Sequence, residues 1–144
     1  MMTRTFYRQY SVFKVQTSYE ASLCQRAFGD LIIVRKKIYL DRNFCFTGRF
    51  EESFINQIPD EAEKVTIPHT VAMTPLNYFD ESIYQMVSCY QRKFIPDDSF
   101  RGKEVILTFE AAAHEATVYL NGELLGVHSC GYTAFSFDIS DKLI

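Results

Sequence analysis

EATVYLNGELLGVHSCGYTAFSFDIS, residues 115–140, is the stretch whose reading decides the fold. Its first half reads as a hairpin: a β-rich run over 116–120, then Asn121-Gly122, then a return over 123–127. A type I′ turn needs φ > 0 at both central residues, and Asn-Gly is the pair that tolerates this best. Residues 128–131 then read as a loop. Beyond it, 132–139 alternates, with Thr133, Phe135, Phe137 and Ile139 on one face and Tyr132, Ala134, Ser136 and Asp138 on the other. A period of two puts one face of a strand on a core and the other nearer water. The stretch is antiparallel β.

Working outward, 104–110 alternates Val105, Leu107 and Phe109 against Ile106, Thr108 and Glu110. Turn residues over 96–102 separate it from a strand block expected over 83–95. A short strand over 64–68 is stopped by Pro68, and the polar stretches 51–64 and 70–81 read as loops. Residues 31–40 read as a strand ending in the turn Asp41-Arg42-Asn43, with Phe44 set to fill a core position just after it. The first thirty residues are an arm of weak, mixed pattern, in which 18–28 reads as a short amphipathic helix opening at Ser18. Many short strands with no long 3.6-period segment between them indicate a sandwich or barrel.

Composition narrows the function. The chain has 144 residues, enough for one domain with its own core. It carries 13 Phe and 9 Tyr and no Trp, a load suited to cross-strand aromatic pairs on sheet faces. A net charge of −3 without a basic stripe offers nothing to a nucleic-acid backbone. The longest aliphatic run, 31–34, is far too short to cross a bilayer, and the first residues lack the apolar region of a secretory signal. Cys24, Cys45, Cys89 and Cys130 are irregularly spaced, without the close ligand pairs of a zinc site. They could form two bridges, but buried free thiols in a reduced, cytoplasmic protein are the better reading. No cofactor or metal is expected.

Three blocks, in order and spacing, carry a resemblance. Val118, Tyr119, Asn121, Gly122, Gly126, His128, Gly131, Tyr132, Phe135, Asp138 and Ile139 match the pattern V-Y-aliphatic-N-G…G-x-H-x-G-G-Y-x-x-F-x-x-D-I, with Cys130 in place of the first of its two glycines. Upstream, Ile67-Pro68-His69 resembles L-P-H-D-W, and Tyr84 with the run from Tyr90 to Pro96 resembles Y…W-Y-R-R-x-F-x-V-P. Over roughly residues 38–144 the chain resembles the N-terminal sugar-binding domain of glycoside hydrolase family 2, which includes β-galactosidases, β-glucuronidases and β-mannosidases. The resemblance implies an all-β, jelly-roll-like antiparallel β-sandwich of the galactose-binding type over 31–144, with 1–30 outside it. It also implies a further strand pair after the last block, so the sandwich is expected to be incomplete at its C-terminal end.

Chemistry follows from the same comparison. A retaining glycosidase needs two carboxyl groups about 5–5.5 Å apart, and in the family both are glutamates on a (β/α)₈ barrel outside this chain. The pairs Glu51-Glu52, Asp80-Glu81 and Asp97-Asp98 are read as solvated loop charges, because adjacent strand residues face opposite sides. No catalytic residue is therefore assigned. His69 and Thr70 are the candidate sugar-binding residues; the family has Asp or Asn where Thr70 stands, and a hydroxyl can still donate and accept. The plainer reading is that Pro68-His69 only fixes its loop. Tyr84, Asn121, Gly122, His128, Gly131, Tyr132 and Asp138 are taken as structural, with His128 holding the loop after the hairpin and His114 a turn residue. Phe135 and Phe137 point to the core, whereas Tyr119 and Tyr132 suit a surface role. The expected partners are a carbohydrate, the catalytic barrel of a parent chain and further copies of the protein, with no nucleic acid and no membrane. The expected function is a non-catalytic domain of a hydrolase active on β-galactosides or related β-glycosides. The alternative is a stand-alone, lectin-like carbohydrate-binding module or a structural interaction domain.

Overall fold

The computed structural model describes residues 10–14, 19–27, 30–73, 77, 80–96 and 100–143, with backbone alone for 10–14, 19–27, 30–35 and 81. Ten strands follow in chain order: β1 Tyr10–Lys14, β2 Tyr19–Ala27, β3 Asp30–Ile38, β4 Phe44–Thr47, β5 Glu63–Val65, β6 Val87–Gln91, β7 Glu104–Phe109, β8 Glu115–Leu120, β9 Glu123–Ser129 and β10 Phe135–Asp138. They form a six-stranded sheet in the order β5-β4-β6-β1-β8-β9 and a four-stranded sheet in the order β10-β7-β2-β3. Pairing is antiparallel except at β1, which lies parallel to both β6 and β8. No α-helix occurs among the described residues. The fold is an all-β sandwich, as the alternation implies.

The core lies between the sheets. Phe44, Tyr90, Val118 and Leu120 reach it from the larger sheet, Val105 and Leu107 from the smaller, and Phe100 and Ile139 close it. Each large apolar side chain removed from water there contributes about 1.5–3 kcal/mol. β8 shows why this sequence makes this layer: Ala116, Val118 and Leu120 are buried while the residues between them are half-exposed. Part of the outer face of the larger sheet is covered. There the segment 48–57, with a 3-10 turn over Glu52–Ile55, buries Phe54 and meets Gln91. On the other side Leu124 and Val127 of β9 are each 55% exposed.

Four expectations are corrected. The helix expected over 18–28 is strand β2, paired with β3 along its whole length. The strand block expected over 83–95 is reduced to Val87–Gln91, because Glu81–Tyr84 winds into a 3-10 turn capped by Asp80. His128 and Ser129, expected in a loop, continue β9, where they face Ala116 and Glu115. The strand expected over 132–139 shrinks to Phe135–Asp138, Tyr132 and Thr133 lying in the turn before it. The hairpin itself stands: Asn121 has φ 51° and Gly122 φ 89°. A bulge between Val118 and Tyr119 admits Leu125 as an extra residue opposite them.

Candidate functional site

The loop 66–73, which leaves β5 after Val65, carries the two candidate sugar-binding residues. It is held at three points. The Ile67 N–H donates to the Asp41 carbonyl at 2.8 Å. Ile67 and Val71 pack against the core. Between them, His69 lies half-buried with Nδ1 2.9 Å from the Tyr90 hydroxyl. Thr70, beside it, is exposed.

β4 and β6 supply the floor under His69. Phe46 and Tyr90 are cross-strand partners, so register alone sets their rings side by side, with centroids 4.9 Å apart. The imidazole centroid lies 4.7 Å from Phe46 and 5.8 Å from Tyr90, edge-on to the latter. Burial pushes the Tyr90 phenol up to about 12, so it stays protonated across the physiological range. Below this floor the Arg92 guanidinium sits 5.8 Å over the Phe44 ring and donates to the Arg42 carbonyl, with burial holding its pKa below the ordinary value. The Thr70 hydroxyl can both donate and accept, which suits a ligand hydroxyl group.

The structural residues form two further groups. At the hairpin tip, Asn121 Nδ2 donates to the Lys142 carbonyl at 2.9 Å, and Lys142 Nζ reaches Glu123 at 2.8 Å. Asp138 Oδ1 accepts from the Ser140 N–H at 3.0 Å and its hydroxyl at 2.6 Å, which holds the carboxyl below its usual range. Ser140 Oγ in turn accepts from the Val105 N–H at 2.8 Å, so the end of β10 is tied to β7. The second group lies past β9. His128 stacks on Phe135 at 4.2 Å and its Nε2 is 2.9 Å from the Thr133 hydroxyl. At Gly131 a Cβ would fall 3.1 Å from the backbone nitrogen of His114, a contact tight enough that the neighbouring backbone would have to give by a few tenths of an ångström. His114 itself has φ 49°. Cys130 has its thiol pKa lowered by the Thr133 hydroxyl and by backbone N–H groups. Tyr132 is 94% exposed.

The sheet keeps these groups apart. β6 and β8 run parallel, in register through β1, with Gln91 and Tyr119 at one end and Val87 and Glu115 at the other. Loop 66–73 and the hairpin turn leave at the first end, the 130–134 loop at the second. His69 and Thr70 are therefore not joined by His128 or Tyr132, and Tyr84 lies in the turn that precedes β6. Sequence reasoning missed Tyr90, the residue that fixes His69; its only signal was its place in the Y-R-R-like block.

The acidic pairs 51–52 and 80–81 lie off the strands. Glu51, with Glu61, pairs with the exposed Arg49, whose guanidinium keeps the Glu61 carboxyl below its usual range. Asp80 is occupied by the Ser82 hydroxyl and N–H. Asp97, Asp98 and the Glu81 side chain lie outside the described residues. Cys45 and Cys130 are free thiols and Cys89 is buried. Among the described residues no group of three His, Cys, Asp or Glu could hold a metal ion, and no helix is long and apolar enough to cross a membrane.

Comparison with known proteins places this arrangement. No family model matches the chain. It is 37% identical over 110 residues to a β-galactosidase of Thermoanaerobacterium thermosulfurigenes, covering 75% of this chain and 15% of that protein. It is 39% identical over 103 residues to a β-galactosidase of Thermoanaerobacter pseudethanolicus, covering 72% of this chain and 13% of that one. Among solved structures it is similar to a calcium-binding mutant of β-glucuronidase 2 from Bacteroides uniformis, with a TM-score of 0.66 and 27% identity over 73% of this chain and 13% of the other. The chain thus spans about one seventh of the length of the β-galactosidases it matches.

Proposed function

We propose, for a chain that corresponds to one segment of the family 2 glycoside hydrolases, that it is the non-catalytic sugar-binding domain of a retaining enzyme acting on β-galactosides or related β-glycosides. The observation that carries this reading is the shared sequence with two β-galactosidases over nearly three quarters of the chain or more. Hydrolysis would be performed by two glutamates on the barrel of the parent enzyme, about 5–5.5 Å apart. The sandwich would pack against that barrel, bring loop 66–73 to the rim of the active site, and take part in assembly with further copies. His69 and Thr70 would contact the sugar; the anchoring of His69 on Tyr90 and the exposure of Thr70 support this. No cofactor is needed for the reaction so proposed. A cytoplasmic setting and a sandwich over 31–144 belong to the same reading, with β1 and β2 of the preceding segment adding one strand to each of its sheets.

Purified chain should leave a nitrophenyl β-galactoside intact, while methyl β-galactoside should shift the amide signals of 69–73 at millimolar concentration. Hydrolysis lost on mutating a residue of this chain would overturn the non-catalytic assignment. A second reading, a stand-alone carbohydrate-binding module, is favoured by the 94% exposure of Tyr132, whose ring is open to stack on a sugar. Shifts at 130–134 with none at 69–73 would select it.

A further inference from the structure

We infer that strand β3 is the surface by which the chain pairs with a second copy of itself, edge to edge and antiparallel, about a twofold axis at Ile33. β3 belongs to the smaller sheet and loop 66–73 leaves the larger, so the inference does not depend on what that loop binds.

Four strands lie at sheet edges, β5 and β9 in the larger sheet and β10 and β3 in the smaller. A free edge is a template for another strand, and proteins keep such edges short, bulged or charged. β5 has three residues and β10 four, and β9 pairs with β8 through a bulge. β3 is different. It runs nine residues, Asp30–Ile38, in unbroken register with β2, contains neither Gly nor Pro, and carries the apolar run Leu31-Ile32-Ile33-Val34. β7 reaches β2 only at positions 20–22, so over 23–27 the only described strand paired with β2 is β3. A two-stranded ribbon is marginal by itself in water. The ribbon of a second copy supplies a third and a fourth strand.

Charge chooses both the occupant and the register. Antiparallel pairing about a twofold axis puts one residue opposite its own copy. With Ile33 on the axis, Ile32 falls opposite Val34, Leu31 opposite Arg35 and Asp30 opposite Lys36, each pair occurring twice. The ends are then acid against base, and the centre is apolar against apolar. With Val34 on the axis, Ile32 falls opposite Lys36 and Asp30 opposite Ile38; with Ile32 there, Asp30 falls opposite Val34. Opposite charges directly across a ladder stabilise it and like charges do the reverse. Lys36 and Lys37 are the kind of residue that guards an edge. Lys37 is taken by Glu110 at 3.3 Å, and of these three registers only that on Ile33 gives Lys36 an acid. The two four-stranded sheets then join as one, through a contact that closes on itself instead of growing.

The test is sedimentation of the 144-residue chain from micromolar to submillimolar concentration, where a monomer–dimer equilibrium is expected. Asp30→Lys sets lysine against lysine at both ends and should raise the dissociation constant about tenfold or more; adding Lys36→Asp reverses both pairs and should restore it to within about threefold. Positions 30 and 36 face Ala27 and Ala21 on β2, so neither change sets charge against charge inside the chain. A monomeric parent, which leaves β3 to a strand of another protein, overturns the inference, and so does an open-ended polymer. A constant unmoved by Asp30→Lys, or a double variant as weak as the single, also overturns it. Should the charge variants not fold, Ile33→Cys decides, made in a Cys24→Ser chain because Cys24 faces position 33 from β2. Oxidation should link two copies at 33, whose Cα atoms lie about 4.5–5.5 Å apart across the axis, and should not link Leu31→Cys. No link at 33, or equal linking at 31, overturns the inference.

Discussion

A Cβ built at position 122 falls 2.8 Å from Oδ1 of Asn56, so the hairpin turn and the segment that crosses the outer face of the larger sheet close on each other at this point. The turn residue is thus constrained twice, by its φ of 89° and by its neighbour. The two constraints differ in weight. Asn56 is exposed and its amide can swing away, whereas φ is imposed by the hairpin.

Gly122→Ala should therefore cost about 1–2 kcal/mol, nearly all of it from the left-handed backbone, and Gly122→Val more, since a β-branched residue is a conformational outlier there. In an Asn56→Ala background the cost should fall by no more than about 0.5 kcal/mol. Urea unfolding of the parent, the three single variants and the double variants measures this. A Gly122→Val melt within a degree of the parent would sink the turn assignment.

Gln91 is the counterpart of that contact inside the sheet. Its buried amide donates to the carbonyls of Phe54 and of Gln57, the latter at 2.9 Å, and so fastens the 3-10 turn of 52–55 to β6. Gln91→Leu leaves both carbonyls without this donor and should lower stability by about 1–3 kcal/mol. Cleavage by a protease in limiting amount should move to residues 51–58. Unchanged digestion would mean the turn is held by Phe54 alone.

Tyr90 predicts the alkaline limb. Its folded pKa of about 12 lies above the ordinary value of 10, so between these values the unfolded chain binds fewer protons than the folded one. Its contribution to stability is complete below pH 10 and is lost as pH rises toward 12. Tyr90→Phe should flatten the fall in melting temperature over that window. An equally steep fall in the variant would assign the limb to other groups.

Cys130 offers a chemical readout. The Thr133 hydroxyl and backbone N–H groups stabilise its thiolate, which lowers its pKa. Thr133→Val should shift the pH profile of Cys130 alkylation upward, with Cys45 as the internal comparison. The same change removes the partner of His128 Nε2 and should broaden that ring's signals. A profile that does not move would show that the backbone groups suffice.

Local chemistry was readable where it is self-contained. Asn121-Gly122, the alternation through Val105 and Leu107, the turn at Asp41-Arg42-Asn43 and the burial of Phe44 each follow from a few neighbouring residues. What was not readable depends on distant partners. Residues 19–27 include Glu, Ala, Leu, Gln and Arg, all good helix formers, yet pairing with β3 makes them a strand, tertiary context overriding propensity. His128 and Ser129 stay in β9 because Ala116 and Glu115 lie opposite them, which no turn signal reports. At the candidate site, His69 was visible beside Pro68, but its contact with Tyr90 spans 21 residues and arises from the β4–β6 register.

The parallel placement of β1 also orders events in time. β6 and β8 do not pair with each other; β1 alone joins them, as it meets Val87–Gln91 on one side and residues 115–119 on the other. Of the described strands β1 is made before the others, and its last partner follows about a hundred residues later, some 5–20 s at ordinary rates of synthesis. The β8–β9 hairpin can close as soon as it appears, but the six-stranded sheet cannot. β1 therefore has no partner strand until β6 is made, and its edge toward β8 stays open until residues 115–119 follow.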